Sequence, residues 1–347
     1  MTHFLESRLG LSLPVIQAPM AGAQDHRLAL AAAGAGALGS IPAAMMTAEG
    51  LRKEVAAFRA QSSAPLNVNF FCHTPPHADP AREATWRTSL APYYAEHGID
   101  STQIPAGPGR APFDHATCDF VEEVKPEVVS FHFGLPTQDL LDRVRAWKPL
   151  ILSSATTVDE ALWLESKGVD AIIAQGAEAG GHRGIFLDRD LNTQIGTFAL
   201  VPQIVAAVKV PVIAAGGVVD AHGAAAARAM GAGAVQCGTA LLLCAETLTS
   251  AIHRAALKEH PRRPTALTHL FTGRPARSIV NRLMRDFGPM GGAPPEFPLA
   301  VGALMPLRQA AEAQGSGDFS PLWSGQNNSR CREAPAADVI RDIAAGW

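Results

Sequence analysis

Eight short apolar runs recur along this chain, and segments with helical patterning separate several of them. The runs begin at Val15 (VIQA), Leu38 (LGSI), Leu66 (LNVNFF), Val128 (VVSFHF), Leu150 (LILSS), Ala171 (AIIAQ), Val212 (VIAAG) and Ala234 (AVQCG). They are rich in β-branched residues and largely uncharged, the pattern of strands buried on both faces. Residues 158–167 and 197–208 carry amphipathic patterns between them. Strands alternating with helices predict a parallel sheet. Eight such units predict an α/β fold of the (β/α)8 TIM-barrel type.

Two regions break the rhythm. Residues 72–125 follow the third run and carry prolines at 75, 76, 80, 92, 105, 108 and 112, with a candidate helix over 81–97. Residues 246–347 follow the eighth run and include the segment FGPMGGAPPEFP from Phe287. Both are too long for simple connections. The expected organisation is a barrel over 1–245, with an insertion at about 72–125 after strand 3. A C-terminal helical extension, 246–347, is expected to pack at the barrel mouth.

The hydrophobic fraction is 47% and the charged fraction 18%, which supports a sizeable core. The formal net charge of −3 gives no electrostatic case for nucleic acid or anionic membrane as a partner. Five cysteines form no C-x-x-C pair and are odd in number, which points to a reducing, cytoplasmic setting. The N-terminal residues lack the pattern of a signal peptide, and the Ala/Gly-rich run over 28–38 is too short to span a bilayer.

Residues 175–184, QGAEAGGHRG, place one histidine, His182, in a glycine-rich turn after the sixth run. Gly180 and Gly181 allow close backbone approach to a ligand. Imidazole titrates nearest neutrality, which suits proton transfer or anion binding. The alternative is a glycine loop with a surface histidine. His132 lies near the end of the fourth run, either as a packed core residue or as a partner of His182 at the barrel mouth. Two imidazoles there point to an anionic substrate.

Gly216 and Gly217 end the seventh run, and Gln236, Cys237, Gly238 and Thr239 end the eighth. The loops after these two strands often bind phosphate in (β/α)8 barrels. Glycine exposes backbone N–H groups, and Asp220 fits an N-cap for a following helix. Cys237 itself reads as a buried strand residue. The G-x-G-x-x-G match at Gly34–Gly36–Gly39 lacks a preceding strand and reads as a helix end, not a nucleotide site.

Asn69 and Gln175 are amides at the ends of buried strands, fit either to satisfy loop backbone or to read a polar heterocycle. Gln17, Ala18, Pro19 and Met20 turn backbone out of the first strand towards the same place. No metal site is expected: prolines 75 and 76 keep His73 and His77 off a common helix, and no cysteine cluster exists.

With PVIQAPMAG from Pro14, NVNF from Asn67, EAGGHRG from Glu178, AGG from Ala215, QCGT from Gln236 and WSGQ from Trp323, the chain resembles the nitronate monooxygenase family. The loop around His182 and the late S-G-Q resemble its first class. The resemblance extends from Pro14 to about Arg330. It implies FMN at the barrel mouth. It implies oxidation of alkyl nitronates, propionate 3-nitronate being one candidate, by O2 to a carbonyl compound and nitrite. By motif, Asn69, Gln175, Gly180, Gly181, Gly217 and Gln236 to Thr239 would hold FMN, and Gly325 and Gln326 would close over it. His182 would be the base for neutral nitroalkanes, and would help hold a preformed nitronate. The competing readings are a flavin-dependent NAD(P)H:quinone or enoyl-thioester reductase, and a phosphate-binding barrel that acts as a sensor. The oligomeric state, monomer or dimer, is left open.

Overall fold

The computed structural model describes residues 3–104, 109–259 and 263–347. Pro105 and Pro108 of the expected insertion lie outside them.

All eight expected strands form. They are β1 (Val15–Gln17), β2 (Gly39–Pro42), β3 (Leu66–Phe71), β4 (Val128–His132), β5 (Leu150–Ala155), β6 (Ala171–Gln175), β8 (Val212–Ala215) and β9 (Ala234–Cys237). The sheet runs β1-β9-β8-β6-β5-β4-β3-β2, every pair parallel. A parallel bridge between Ile16 and Leu38 joins its two ends into a barrel. A short strand, β7 (Gly181–His182), lies outside it.

The helices up to β6 are α1 (Phe4–Leu9), α2 (His26–Ala35), α3 (Ala48–Arg59), α4 (Pro80–Glu96), α5 (His115–Val124), α6 (Gln138–Arg145) and α7 (Val158–Ser166). After it come α8 (Thr197–Ala207), α9 (Ala221–Ala229), α10 (Ala251–Lys258), α11 (Arg282–Phe287), α12 (Val301–Ala313) and α13 (Ala336–Ala344). Local chemistry sets their starts. Asp25, Thr47, Asp114, Thr157 and Asp220 each accept a hydrogen bond from a first-turn N–H. Gly36 ends α2 in the left-handed region, φ 92°, so the G-x-G-x-x-G match is a helix terminus.

Inward-facing Ile16, Leu38, Leu152, Ile173 and Ile213 fill the barrel with Leu5 and Leu11 from the N-terminal segment. A larger cluster packs the helices on the outer face of the strands. A third cluster joins the insertion to the C-terminal segment: Trp86, Leu90 and Tyr94 of α4 meet Leu283 and Met284 of α11 and Leu304 and Leu307 of α12.

The C-terminal segment carries helices, α10 to α13, as expected, and shows two further features. Between its helices it contains an antiparallel hairpin, β10 (Thr265–Thr268) and β11 (Ala276–Ile279). Its last helix leaves the mouth: α13 packs against α2 and α9 with Val339, Ile340 and Ile343 buried. That apolar stripe completes the helical layer beside β9 and β1, whereas the mouth elements already bury their own apolar faces.

Candidate active site

The carboxyl ends of the strands surround a cavity of about 430 Å³, within the usual range of small-molecule sites. Ala18, Pro19 and Met20 line one side after β1, with Asn69 from β3 and His132 from β4. Gln175 at the end of β6, then Gly180 and the β7 residues Gly181 and His182, also line it. Gly216, Gly217, Gln236, Gly238, Thr239 and Gly325 line the opposite side. Three residues expected at the site do not line it. The Gln17 side chain is buried in the loop network, Cys237 lies in the outer core, and the Gln326 side chain is exposed.

His182 is not on a free turn. Gly181 and His182 pair antiparallel with Arg277 and Ala276 of β11, and the Arg183 N–H donates to Pro275 O at 2.9 Å. The backbone N–H and C=O groups of the glycine loop thus gain strand partners from the C-terminal hairpin. His182 Nε2 lies 2.9 Å from Thr272 Oγ1. That hydroxyl donates to Arg274 O at 3.3 Å, so it accepts from Nε2–H. The Nδ1 is then the nitrogen that carries a lone pair. The rings of Phe297 and Trp323 lie 5.2 and 5.4 Å from the imidazole, and those of Phe71 and Phe133 both lie 6.0 Å away. Burial, then the cationic Arg110, push its pKa well below the ordinary histidine value. The imidazole is neutral at pH 7.

The other polar groups divide into those that hold the loops and those that face the cavity. His132 Nε2–H donates to His182 O at 3.2 Å and its Nδ1 accepts from Ser154 Oγ at 3.0 Å. Both ring nitrogens are therefore engaged, and burial pushes the pKa down to about 3. The Gln175 amide donates to His182 O at 2.9 Å and accepts from Gly184 N at 2.7 Å. Gln17 accepts from Ser40 N and donates to Gln24 Oε1, both at 2.8 Å, fixing the loop after β1. Asn69 donates to Ser130 Oγ at 2.9 Å, which leaves its Oδ1 without a partner among the described residues. Gln236 Oε1 is buried at the cavity wall with no hydrogen-bond partner among the described residues.

Two neutral histidines do not make an anion site by themselves; the positive charge comes from arginines. Arg110 lines the cavity, and Arg274 stacks 3.9 Å from the Phe133 ring centroid. The fully buried Arg183 clamps the end of β6, donating to Gly176 O at 2.7 Å and Gln175 O at 2.6 Å. Thr272 and the arginines at 110 and 274 come from segments remote in sequence, with no motif to mark them. Glu178 is a further unexpected residue: its carboxylate accepts from Thr197 N at 2.7 Å, capping α8 from another loop.

The side near β8 and β9 suits a phosphate-bearing heterocycle. Gly216 and Gly217 take successive positive φ values, 113° and 77°, a left-handed path that only glycine follows without strain. Residues 323–328 run across these loops as a strap. Gly325 N donates to Thr239 Oγ1 at 3.0 Å, Gln326 N to Glu178 O at 2.9 Å, and Asn327 Nδ2 to Gly217 O at 2.9 Å. A Cβ on Gly180 would lie 2.5 Å from Gly325 N, so the strap's path requires glycine there. A buried acceptor without a donor, Gln236 Oε1, fits a ligand that brings an N–H or O–H group. FMN has both parts, a phosphate and a ring with a polar edge.

A family model described as nitronate monooxygenase matches residues 3–346. The chain belongs to the nitronate monooxygenase family. It is 41% identical over 345 residues to a nitronate monooxygenase of Pseudomonas aeruginosa, covering 99% of this chain and 98% of that one. Among solved structures, it is similar to nitroalkane oxidase from Streptomyces ansochromogenes, at 36% identity and TM-score 0.89, over 99% and 97% of the two chains. FabK from Thermotoga maritima is similar at 26% identity and TM-score 0.73, over 99% of this chain and 95% of that one. Membership in the nitronate monooxygenase family makes this an enzyme with a small-molecule substrate. Among the described residues no helix is long and apolar enough to cross a membrane.

Proposed function

We propose that this enzyme binds FMN and oxidises alkyl nitronates with O2, giving a carbonyl compound and nitrite. The observation that carries this reading is the neutral His182. It is fixed through Nε2 and lies in the same cavity as two glycine turns and an unpartnered acceptor.

Gly216, Gly217, Gly238 and Thr239 would hold the phosphate, and Asn69 and Gln236 would meet the polar edge of the ring. Bound FMN supplies an electron acceptor for the electron-rich nitronate carbon. With a neutral nitroalkane, His182 Nδ1 takes the α-proton, and Thr272 keeps the ring in the tautomer that leaves this nitrogen free. The resulting imidazolium and nitronate form an ion pair beside the rings of Phe71, Phe133, Phe297 and Trp323. With a preformed nitronate no proton is removed, and Arg110 supplies the charge that favours the anion.

The test is the visible spectrum of the purified protein before and after anaerobic addition of a nitronate, followed by an oxygen electrode with nitrite detection. The expected result is flavin bleaching, then O2 uptake and nitrite release without reduced nicotinamide. Fast anaerobic bleaching by NADH, with quinone turnover faster than any nitronate, would replace this reading with the reductase. A protein that stays colourless after added FMN would replace it with the sensor.

A further inference from the structure

A second cavity, of about 300 Å³, opens beside the first. The two share Ala44, Met45, Phe71 and Arg110 in their walls. Beyond that junction most of the side chains that wall the side cavity are apolar, among them Ala43, Leu51, Phe70, Phe113 and Phe120, with Thr47 and Thr117 as its hydroxyl groups.

Arg110 at the junction has an unusual environment. Its Nη2 lies 3.5 Å from Met45 Sδ, and its guanidinium carbon lies 5.7 Å from the Phe297 ring centroid. Burial lowers its pKa, and no acidic group offsets that effect among the described residues. Its backbone is held in place: His73 Nε2–H donates to Arg110 O at 3.0 Å. A half-buried guanidinium at a cavity wall, without a carboxylate, is poised for an anion that enters from outside. Its planar fork matches a planar group with two oxygens.

We infer that the side cavity is the subsite for the substrate's tail, which takes an unbranched apolar chain while Arg110 holds the anionic head between itself and His182. Phe71 connects the two, because its ring lies 6.0 Å from His182 and also lines the side cavity. The substrate class is therefore an anionic amphiphile. On the reading proposed above, on which this identification of the head group rests, it is a nitronate with a tail of several carbons.

Unreactive alkyl carboxylates, from acetate to octanoate, share the planar two-oxygen head and test the site without turnover. Their dissociation constants on the purified protein, measured by calorimetry, should tighten with length by about fourfold per methylene until the cavity is full. Ala111→Phe, which fills the side cavity from its exposed rim, should flatten that dependence. Arg110→Met should weaken every length by about tenfold and keep the slope, and Arg110→Lys should recover part of the loss. The KM values of a nitronate series should follow the same order, with kcat changing little.

Affinity independent of chain length, succinate binding more tightly than pentanoate, or Arg110→Met binding like the parent would each overturn the inference. Chain-length-dependent carboxylate binding without any nitronate oxidation would sink the proposed function and leave the amphiphile site standing.

Discussion

His182 Nε2 and Thr272 Oγ1 lie 2.9 Å apart across 90 residues of sequence, and this contact decides which imidazole nitrogen can act as a base. Because the threonine hydroxyl donates to Arg274 O, it accepts from Nε2–H, and the free lone pair sits on Nδ1. His182→Asn should cut turnover of neutral nitroalkanes by about 10²–10⁴-fold. Thr272→Val should cut it by about tenfold, the weight of one orienting hydrogen bond. Neither loss should be matched with preformed nitronates, which need no proton removed. Steady-state rates on nitroethane and ethyl nitronate, measured in parallel with flavin content, make the comparison. Equal losses on both substrates would assign His182 to anion binding alone.

Acidification should weaken the fold before it silences the base. Burial depresses His73 and His253 to about 4 and His132 to about 3. The unfolded chain binds protons at these residues from about pH 6.5 downward, whereas the folded protein refuses them until near pH 4. The unfolded state thus holds more protons across that window, so stability is fully present above it and falls as pH drops. Each group contributes a slope of up to about 1.4 kcal/mol per pH unit. Calorimetric Tm should decline steadily from pH 7 to pH 5, and His253→Leu should make the decline shallower. A flat Tm over that range would contradict the buried, neutral state of these rings. Since the His182 pKa is also depressed, kcat/KM for nitroethane should hold level to below pH 6.5.

The barrel was legible because its strands are β-branched runs buried on both faces, each bounded by turn residues. The loop of His182 was legible because glycines 180, 181 and 184 mark a backbone that packs closely. What pairs with that loop was not legible. The partners of His182 come from the segment that holds β11, Thr272 and Phe297, and no local pattern records which distant chain will lie beside a loop. TALT at Thr265 and ARSI at Ala276 mix polar and apolar residues over four positions each, too short to show strand alternation. Arg110 is a single cation in a proline-rich stretch, a setting where most arginines are solvated. The S-G-Q motif marks Gln326, whose backbone N–H donates to Glu178 O, while the next residue, Asn327, turns its amide to Gly217.

The strap makes a separate prediction about two adjacent glycines. A Cβ on Gly180 would meet the Gly325 nitrogen at 2.5 Å and the Ser324 carbonyl carbon at 2.6 Å, whereas one on Gly181 would meet nothing within 4 Å. Gly181 instead has φ +71°, which costs an alanine about 1–2 kcal/mol. Gly180→Ala should displace the strap from Thr239 and Gly217, so that purified protein carries less FMN and resists heat less. Gly181→Ala should lose stability but retain most of its flavin. Flavin released by denaturation, quantified per mole of protein, separates the two. Equal retention in both variants would mean that the strap does not close over the cofactor.

Gln236 should show function and stability pulling in opposite directions. Its Oε1 is buried without a partner among the described residues, and an unsatisfied buried acceptor costs about 1–3 kcal/mol. A protein selected for stability alone would place an apolar side chain there. Gln236→Leu keeps a similar volume and removes the orphaned oxygen, so the flavin-free protein should melt higher, by about 2–4 °C for each kcal/mol recovered. The same change removes an acceptor from the cavity wall, so FMN should bind about tenfold more weakly. Gln236→Glu distinguishes loss of the acceptor from loss of shape: it keeps the acceptor oxygen and the shape but replaces the NH2 with a second oxygen and adds charge beside the ring, and should weaken FMN without the gain in Tm. Two measurements decide the matter, the Tm of flavin-stripped protein and the dissociation constant of FMN by fluorescence quenching. If Gln236→Leu lowers the first and leaves the second unchanged, the oxygen is satisfied within the protein and plays no part in holding the cofactor.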